Sequence, residues 1–540
     1  MSNIGQVRSL VRVGRLLITA LYKLKKMSRG NIRQYSMLIA LVAIVIFLQI
    51  TTKGALLKPM NVSNIVFQNA YVVILAVGML MCILTGGNID LSVGSVLAVV
   101  MACAGTGIMT WKLDPYITMI ACLAIGILIG AWQGFWISYV GIPPFIVTLS
   151  GMLLFRGLTL SILNGLTLSN FPQGFLQFST GFIPDFFGGI TLFGVTLNAT
   201  AMLVGVLVAA GFCVMQVVKN INRKKKGYET DRPLALIFKL VLVSAALIWF
   251  FSILAQYRGV PTVLITLGII LICYTYLTGN TVIGRHLYAL GGNQKAAWLS
   301  GVNTKRLLFL AYVNMGFLAA VAGLVCASRF NSAFPLAGQG YELDAIAACF
   351  IGGASASGGI GTVSGALIGA LIMGTLNNGM IIMGVNQYMQ QVVKGLVLLV
   401  AVAFDVISKN RFGFEAAARF AAWVKELFRP GSREKPIHTK LAGLIIAIAG
   451  ALVLCAGIFG FILHPSASVP GGLMDMVAGA ALNPVDTVVI IFGQMLQYTV
   501  VAHRVLITVL GGVATAAGVL LRVRRSDIHP AARASENVKS

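Results

Sequence analysis

Repeated long apolar blocks constrain this chain more than any other feature. A helix needs roughly 20 apolar residues to cross the hydrocarbon core of a bilayer. The sequence supplies blocks that approach or meet that length at Met37 to Ile50, Val62 to Leu84, Leu91 to Met109, Tyr116 to Tyr139, Phe145 to Leu163, Ala199 to Val218, Leu234 to Leu254, Val260 to Leu277, Leu307 to Ala327, Gly361 to Met383 and Val392 to Val406. Leu441 to Leu463 and Val485 to Leu521 follow further on. Only 10% of the 540 residues are charged, against 58% hydrophobic, and the mean hydropathy is +0.90. A soluble domain carries about 25% charged residues, so this chain has too few to cover a water-facing surface. A lipid-facing backbone must satisfy its own hydrogen bonds, which leaves helices or closed barrels. The short alternating segments of a barrel are missing. The sequence predicts an all-α polytopic bundle of roughly 10–12 spans, with two or three more in a C-terminal extension.

The formal net charge of +25 does not point to nucleic acid. The positive residues stand in short stretches between apolar blocks, the pattern of loops kept on the cytoplasmic side. They are Arg8 to Arg33 before the first block, Lys219 and Arg223 to Lys226, then Arg285, Lys295, Lys305 and Arg306, then Lys409 to Lys440. Phe171 to Thr196 and Asn331 to Gln339 carry almost no positive charge and are expected to face outward. The basic N-terminal region is too long for a cleaved signal peptide, and the N-terminus is expected in the cytoplasm. The expected layout is a basic cytoplasmic segment over 1–34, a transmembrane domain over 35–409, a charged linker over 410–440, a further transmembrane module over 441–522 and a polar tail over 523–540.

Crossing parity refines the count. Six spans up to Lys219 and two more up to Arg285 keep the basic clusters on one side. After Leu307 to Ala327 leaves that side, an odd number must follow before Lys409. Two blocks are evident there, so the short stretch Leu343 to Gly353 is expected as a third, broken crossing, unless a block is miscounted. GIPPFIVTL at 141–149 resembles GVPTVLITL at 259–267, with Gly, Pro, Thr and Leu in register. The first copy begins inside and the second outside, as in the inverted repeats of many transporters, although chance similarity of apolar segments is a rival explanation. Parity leaves open whether the C-terminal module crosses two or three times.

Several chemistries are missing. No Gly-Lys dipeptide occurs, so there is no P-loop, and neither H-E-x-x-H nor G-x-S-x-G is present. The eight cysteines stand singly within apolar blocks and read as small buried hydrophobes. The chain is expected to be no enzyme and to bind no cofactor or metal; any ATP-driven work falls to a partner.

Three segments carry polar groups into this apolar chain. TGGNIDLSVGS at 85–95 joins two spans, and Asp90 is the only acid between Met1 and Asp114. A charge at the centre of a membrane helix costs roughly 2.5–3.5 kcal/mol. Asp90 is therefore expected near an interface, paired or beside water, either capping a helix that starts at Leu91 or touching a pathway. Asn88 and Ser92 add neutral groups that suit a hydroxylated solute. GRHLYALGGNQKAAWLSGVNTKR at 284–306 falls in a cytoplasmic loop. Its small residues suit a short helix docking in a partner's groove, with Gly291, Gly292, Asn293, Ala296, Ala297 and Gly301 as the candidate surface; an ordinary solvated loop is the alternative. In the segment 340–380, Ser357, Gly361, Gly365 and Gly369 recur every fourth residue, a ridge for close helix packing. Asn377 and Asn378 follow as amides in need of partners. Glu342 and Asp344 lie at the outer end of their segment, to meet an external partner or mark the interface.

Taken in order, TGGNIDLSVGS, YALGGNQKAAWLSGVN, the long glycine-rich segment from Tyr341 and VKGLVLLVAVAFD at 393–405 resemble the permease subunits of bacterial ABC importers for monosaccharides. The xylose and multiple-monosaccharide group looks closest, and the likeness covers roughly residues 35–410. The resemblance implies a vitamin-B12-importer-like (type II) permease fold in the inner membrane and a homodimer of permease subunits. It implies a cytoplasmic ABC ATPase, which uses ATP and Mg and engages the loop around Ala296, Ala297 and Gly301, and an extracytoplasmic sugar-binding protein. A monosaccharide would pass near Asn88, Asp90, Ser92, Asn377 and Asn378. Two departures stand out. The family motif often reads GGIDLSVG, so Asn88 puts the solute preference in question, and relatives usually stop soon after the closing span, whereas this chain continues past Phe412. The alternatives are a same-fold permease for a nucleoside, furanose or signalling sugar, and a self-contained secondary transporter.

Overall fold

The computed structural model describes residues 32–192, 195–227 and 233–409. The chain divides into two compact units at Arg419, and every described residue belongs to the first. The expected linker, second transmembrane module and tail lie outside the described residues, as does most of the basic N-terminal segment.

Prolines and capping side chains set the helix starts. The first half of the chain forms α1 (Ile32–Thr51), α2 (Pro59–Leu84), α3 (Val93–Gly105, continued by a π turn over Thr106–Thr110), α4 (Pro115–Phe135, continued by a π turn over Trp136–Val140) and α5 (Pro144–Leu163). Pro59, Pro115 and Pro144 occupy first-turn positions, where the missing N–H would be unpaired anyway. Asp114 Oδ1 accepts from the N–H of Tyr116 at 2.8 Å and caps α4. Next come α6 (Gln173–Thr180), α7 (Ala199–Lys225), α8 (Pro233–Ala255), α9 (Val263–Asn280), α10 (Val282–Gly292), α11 (Gln294–Leu299), α12 (Thr304–Phe330), α13 (Tyr341–Ile351), α14 (Val363–Ile382) and α15 (Gln387–Lys409). Asn198, Asn303 and Thr362 cap α7, α12 and α14. Among the described residues, sheet is confined to two short antiparallel pairs: β1 (Leu168–Ser169) with β4 (Ser332–Ala333), and β2 (Gly189–Leu192) with β3 (Val195–Asn198). Eight of the described helices are long and apolar enough to cross a membrane, and α1, α8 and α15 hold shorter apolar stretches. The fold is an all-α polytopic bundle.

α2 and α12 form its interior, with most of their apolar windows buried. α4 lies antiparallel against α12 along Gly126, Gly130 and Gly134. A Cβ on Gly130 would stand 2.4 Å from the Tyr312 carbonyl oxygen, and one on Gly316 would stand 2.2 Å from that of Gly126. Only hydrogen fits between these backbones, the small-xxx-small device of membrane helix pairs. This ridge, spaced by four in the sequence, escaped the sequence reading.

The broken crossing is α13. Eleven residues span about 16 Å at 1.5 Å per residue, half of the roughly 30 Å core. The segment 331–340 follows the end of α12. It descends along α3: Ala333 Cβ meets the Gly105 position at 2.8 Å, and the Gly338 carbonyl oxygen meets the Gly94 position at 2.2 Å. α13 therefore starts deep in the bundle. The segment 352–362 returns to the end where α2 stops, and Gly359 N–H donates to Leu84 O at 3.2 Å.

The two GxP segments start helices from opposite ends. Gly141 and Gly259 are both left-handed, with φ of 88° and 93°, and α5 and α9 follow. Pro143 and Pro144 share a cavity with Thr304 and Lys305, at the start of α12. Thr262 Oγ1 donates to Gln177 O on α6 at 2.8 Å, and α6 is tied to the far end of α12 by Ser328 Oγ, which donates to Leu176 O at 2.9 Å.

Candidate functional site

The connector 85–92 places its polar groups in a chain of hydrogen bonds. α3 begins at Val93, two residues later than expected, so Asp90 is not its N-cap. Asp90 Oδ1 instead accepts from Ser92 N–H at 2.8 Å and Ser92 Oγ at 2.7 Å, an Asx-type turn. Ser92 Oγ then accepts from Gln133 Nε2 of α4 at 2.6 Å. Asp90 and Ser92 are both buried, and this network fixes the connector against α4. Asn88 faces the other way. Its Nδ2 donates to Thr85 Oγ1 at 3.0 Å, and the residue lines a cavity of about 370 Å³ with Ser138, Gln294, Thr304 and Lys305. Of the pathway candidates in this segment, Asn88 is the one beside open space.

Asn377 and Asn378 face different partners. Asn378 Nδ2 donates to Asn61 Oδ1 and Gln68 Oε1, each at 3.1 Å, and its Oδ1 accepts from Asn61 Nδ2 at 2.9 Å. These amides tie α14 to the start of α2, and Asn378 is buried. The Asn377 side chain instead hydrogen-bonds Asp344, and its Oδ1 is buried without a partner.

The acids of α13 are not at the outer end. Asp344 is fully buried; its Oδ2 accepts from Tyr71 Oη and from Lys394 Nζ, both at 3.0 Å. Tyr71 lies about 20 Å along α2 from Leu84 at 1.5 Å per residue, near the middle of the bundle. The pair joins α2, α13 and α15 at mid-depth. Sequence reasoning missed Lys394, although a lysine inside the apolar closing span was the available signal.

The glycine ridge is shorter than its spacing suggested. Ser357 and Gly361 precede α14, and Gly361 takes φ of +155° beside Leu80. Gly365 and Gly369 lie on α14, where added Cβ atoms would approach Gly352 O at 2.1 Å and Ala348 O at 1.9 Å. They press α14 against α13 and the turn after it.

α10 and α11 stand at the α2 C-terminal end. Gly291 is pinned there, since a Cβ would lie 1.9 Å from Leu84 O. Gly292 and Gly301 have open space around them. Asn293 Oδ1 accepts from Ala296 N–H at 2.9 Å and caps α11. Ala296 is exposed, but Ala297 turns inward at 5% exposure. The large outward residues are Trp298 and Leu299, at 63% and 70% exposure.

The sequence profile described as "Branched-chain amino acid transport system / permease component" matches residues 61–402. The xylose transport system permease protein XylH of Escherichia coli is 38% identical over 383 residues, covering 71% of this chain and 93% of that protein. The protein of the same name from Haemophilus influenzae is 36% identical over 391 residues, covering 72% of this chain and 100% of its own length. The ribose import permease protein RbsC of Escherichia coli is 37% identical over 345 residues, covering 64% and 85%. No solved structure matches significantly.

Proposed function

Because the chain belongs to the permease-component family of branched-chain amino acid transport systems, we propose that it is the transmembrane subunit of an ATP-driven importer that carries xylose or a related pentose or hexose across the bacterial plasma membrane. The observation that carries this reading is the match to xylose permeases over nearly their whole length. A separate ABC ATPase hydrolyses ATP with Mg, a binding protein delivers the sugar from outside, and two copies of this chain enclose the path. The permease itself catalyses no reaction and holds no cofactor.

Charge supports the orientation. Arg285, Lys295, Lys305 and Arg306 stand at the end that carries α10 and α11, and the positive-inside rule puts that end and the N-terminus in the cytoplasm. The ATPase then meets α11, with Trp298 and Leu299 as anchors and Gly292, Ala296 and Gly301 giving it room; Ala297 supports the helix from within. Asn88 lies above this surface and contacts the sugar as it leaves, while Asp90 and Ser92 hold the connector in shape.

The test is uptake of labelled monosaccharides and nucleosides in cells with and without the gene. Loss of one pentose or hexose is expected. Unchanged sugar uptake with loss of a nucleoside would replace the sugar with another polar solute, and uptake abolished by a protonophore but independent of any ATPase would point to secondary transport.

A further inference from the structure

The cavity beside Asn88 lies at the end of the bundle that carries α10 and α11. It is bounded by the connector 85–92, the π turn of α4, the loop 141–144 and the start of α12. Its volume of about 370 Å³ stands at the small end of the roughly 300–1,000 Å³ typical of ligand sites, room for one monosaccharide-sized molecule. Its lining holds one charged side chain, Lys305, and no carboxylate. Asp90, two residues beyond Asn88 in the chain, is turned away onto Ser92.

The start of α12 opens on this space. Thr304 and Lys305 are the first two residues of a 27-residue helix, and both line the cavity. The Asn303 cap takes up the next two N–H groups: its Oδ1 accepts from Arg306 at 3.0 Å and its carbonyl oxygen from Leu307 at 3.1 Å. Among the described residues, nothing accepts from the N–H groups of Thr304 and Lys305. Thr304 is 8% exposed, yet its hydroxyl has no partner among the described residues. A buried hydroxyl left without a partner is costly, and this one belongs to a residue that borders open space. The N-terminus of a long helix also carries the positive end of its dipole. Two free N–H groups, a buried hydroxyl and an ammonium thus meet in one place, the donor set that holds a phosphate. The rest of the polar lining is neutral, with the amides of Asn88 and Gln294 foremost.

We propose that this cavity binds a sugar phosphate from the cytoplasm and that the bound molecule slows import. The phosphate sits on the N–H groups of Thr304 and Lys305, the Thr304 hydroxyl and the Lys305 ammonium. The sugar hydroxyls meet Asn88 and Gln294. A free sugar lacks the anion and binds weakly. The effect on import rests on the permease reading above: Asn88, which meets the sugar as it leaves, is covered when the cavity is filled. The class of reaction that supplies the ligand is phosphoryl transfer to a hydroxyl of the imported sugar, so the product restrains its own supply.

The first arm of the test needs no transport. Binding of labelled ribose 5-phosphate, inorganic phosphate and free ribose to the purified full chain in neutral detergent is measured by equilibrium dialysis for wild type, Lys305→Gln, Thr304→Val and Arg306→Gln. Ribose 5-phosphate should bind more tightly than either fragment, and its affinity should fall with added salt. Lys305→Gln should weaken it about tenfold, the scale of one lost charged hydrogen bond, and Thr304→Val by less. Arg306→Gln removes an equal charge one residue away that does not line the cavity, and should stay within about twofold of wild type, the range of an ordinary surface change. Equal losses in Lys305→Gln and Arg306→Gln mark unspecific attraction and overturn the proposal, as does wild type that binds no ribose 5-phosphate. Displacement by micelles containing phosphatidylglycerol, but not by phosphatidylcholine, assigns the phosphate to a lipid headgroup and overturns it too. The second arm uses liposomes that hold the permease, its ATPase and its binding protein, with ribose 5-phosphate on the ATPase side. Xylose uptake should fall severalfold in wild type and much less in Lys305→Gln. Uptake that ignores bound ribose 5-phosphate overturns the effect on import, whereas wild type that moves no monosaccharide even without it overturns the permease reading and leaves the binding result standing.

Discussion

Replacing Lys394 with Met retains an unbranched apolar side chain and removes the ammonium that lies 3.0 Å from Asp344 Oδ2. Asp344 is 0% exposed and would keep only the Tyr71 hydroxyl on that oxygen. Removing one partner of a buried ion pair costs about 3–5 kcal/mol, because the surviving charge is uncompensated. Lys394 is itself 23% exposed, and water reaching the site favours the lower end of that range. About 3 kcal/mol corresponds to roughly two decades in the folding equilibrium. The assay is unfolding of the purified protein by SDS titration in mixed micelles for wild type, Lys394→Met, Asp344→Asn and the double variant. The double variant should recover most of the loss, since a neutral amide beside Tyr71 leaves no buried charge. A Lys394→Met protein within about 0.5 kcal/mol of wild type, the range of an ordinary surface change, would refute the reasoning that this pair joins α13 to α15.

Gly130→Leu places a side chain where the Tyr312 carbonyl oxygen already sits 2.4 Å away; overpacking of about 1–3 kcal/mol should appear in the same titration, whereas Gly268→Leu, on an open face of α9, should be silent. Trp298→Ala should leave stability unchanged and weaken co-purification with the ATPase, while Ala297→Arg should also lower stability because Ala297 is buried. Asp185, in the connector between α6 and α7, titrates below the ordinary carboxyl range: burial alone would push it up, but Thr200 Oγ1 at 2.8 Å and the N–H groups of Thr200, Ala199 and Phe187 outweigh that. A depressed value means that its contribution is present above the unfolded value of about 3.9 and lost as pH falls through the lower folded value. Exchange protection of the Thr200 amide, corrected for intrinsic rates, should therefore drop in acid for wild type and lose that dependence in Asp185→Asn. Truncation after Asn410 should preserve uptake if the C-terminal module is accessory; loss of both folding and uptake would place it in the core.

The bundle was legible because span length and charge scarcity are local properties of the sequence. Parity of the basic clusters even located the broken crossing, since an odd number of crossings had to fit between Ala327 and Lys409. The details that failed depend on distant contacts. Glu342 and Asp344 read as an outer boundary because nothing in the segment 331–340 announces that it descends along α3; Gly338, packed against Gly94, was the only trace. Lys394 lies 50 residues from Asp344, and no spacing rule joins them. Ala297 was assigned outward because a six-residue helix such as α11 is too short for apolar periodicity to fix its phase. Asp90 was read either as the cap of a helix at Leu91 or as a pathway contact, but its bond to Ser92 N–H makes a turn, and the helix starts only at Val93. Gly126, Gly130 and Gly134 were visible at spacing four, yet without α12 in view they looked like any glycines in a span.

ATP-dependent accumulation of labelled xylose in liposomes that hold this chain, its ATPase and its binding protein tests the central claim most directly. The account predicts uptake that requires ATP, the binding protein and an intact α11 surface, and that survives a protonophore. Accumulation by this chain alone, driven by an ion gradient, or no transport of any monosaccharide by the complete assembly, would contradict it.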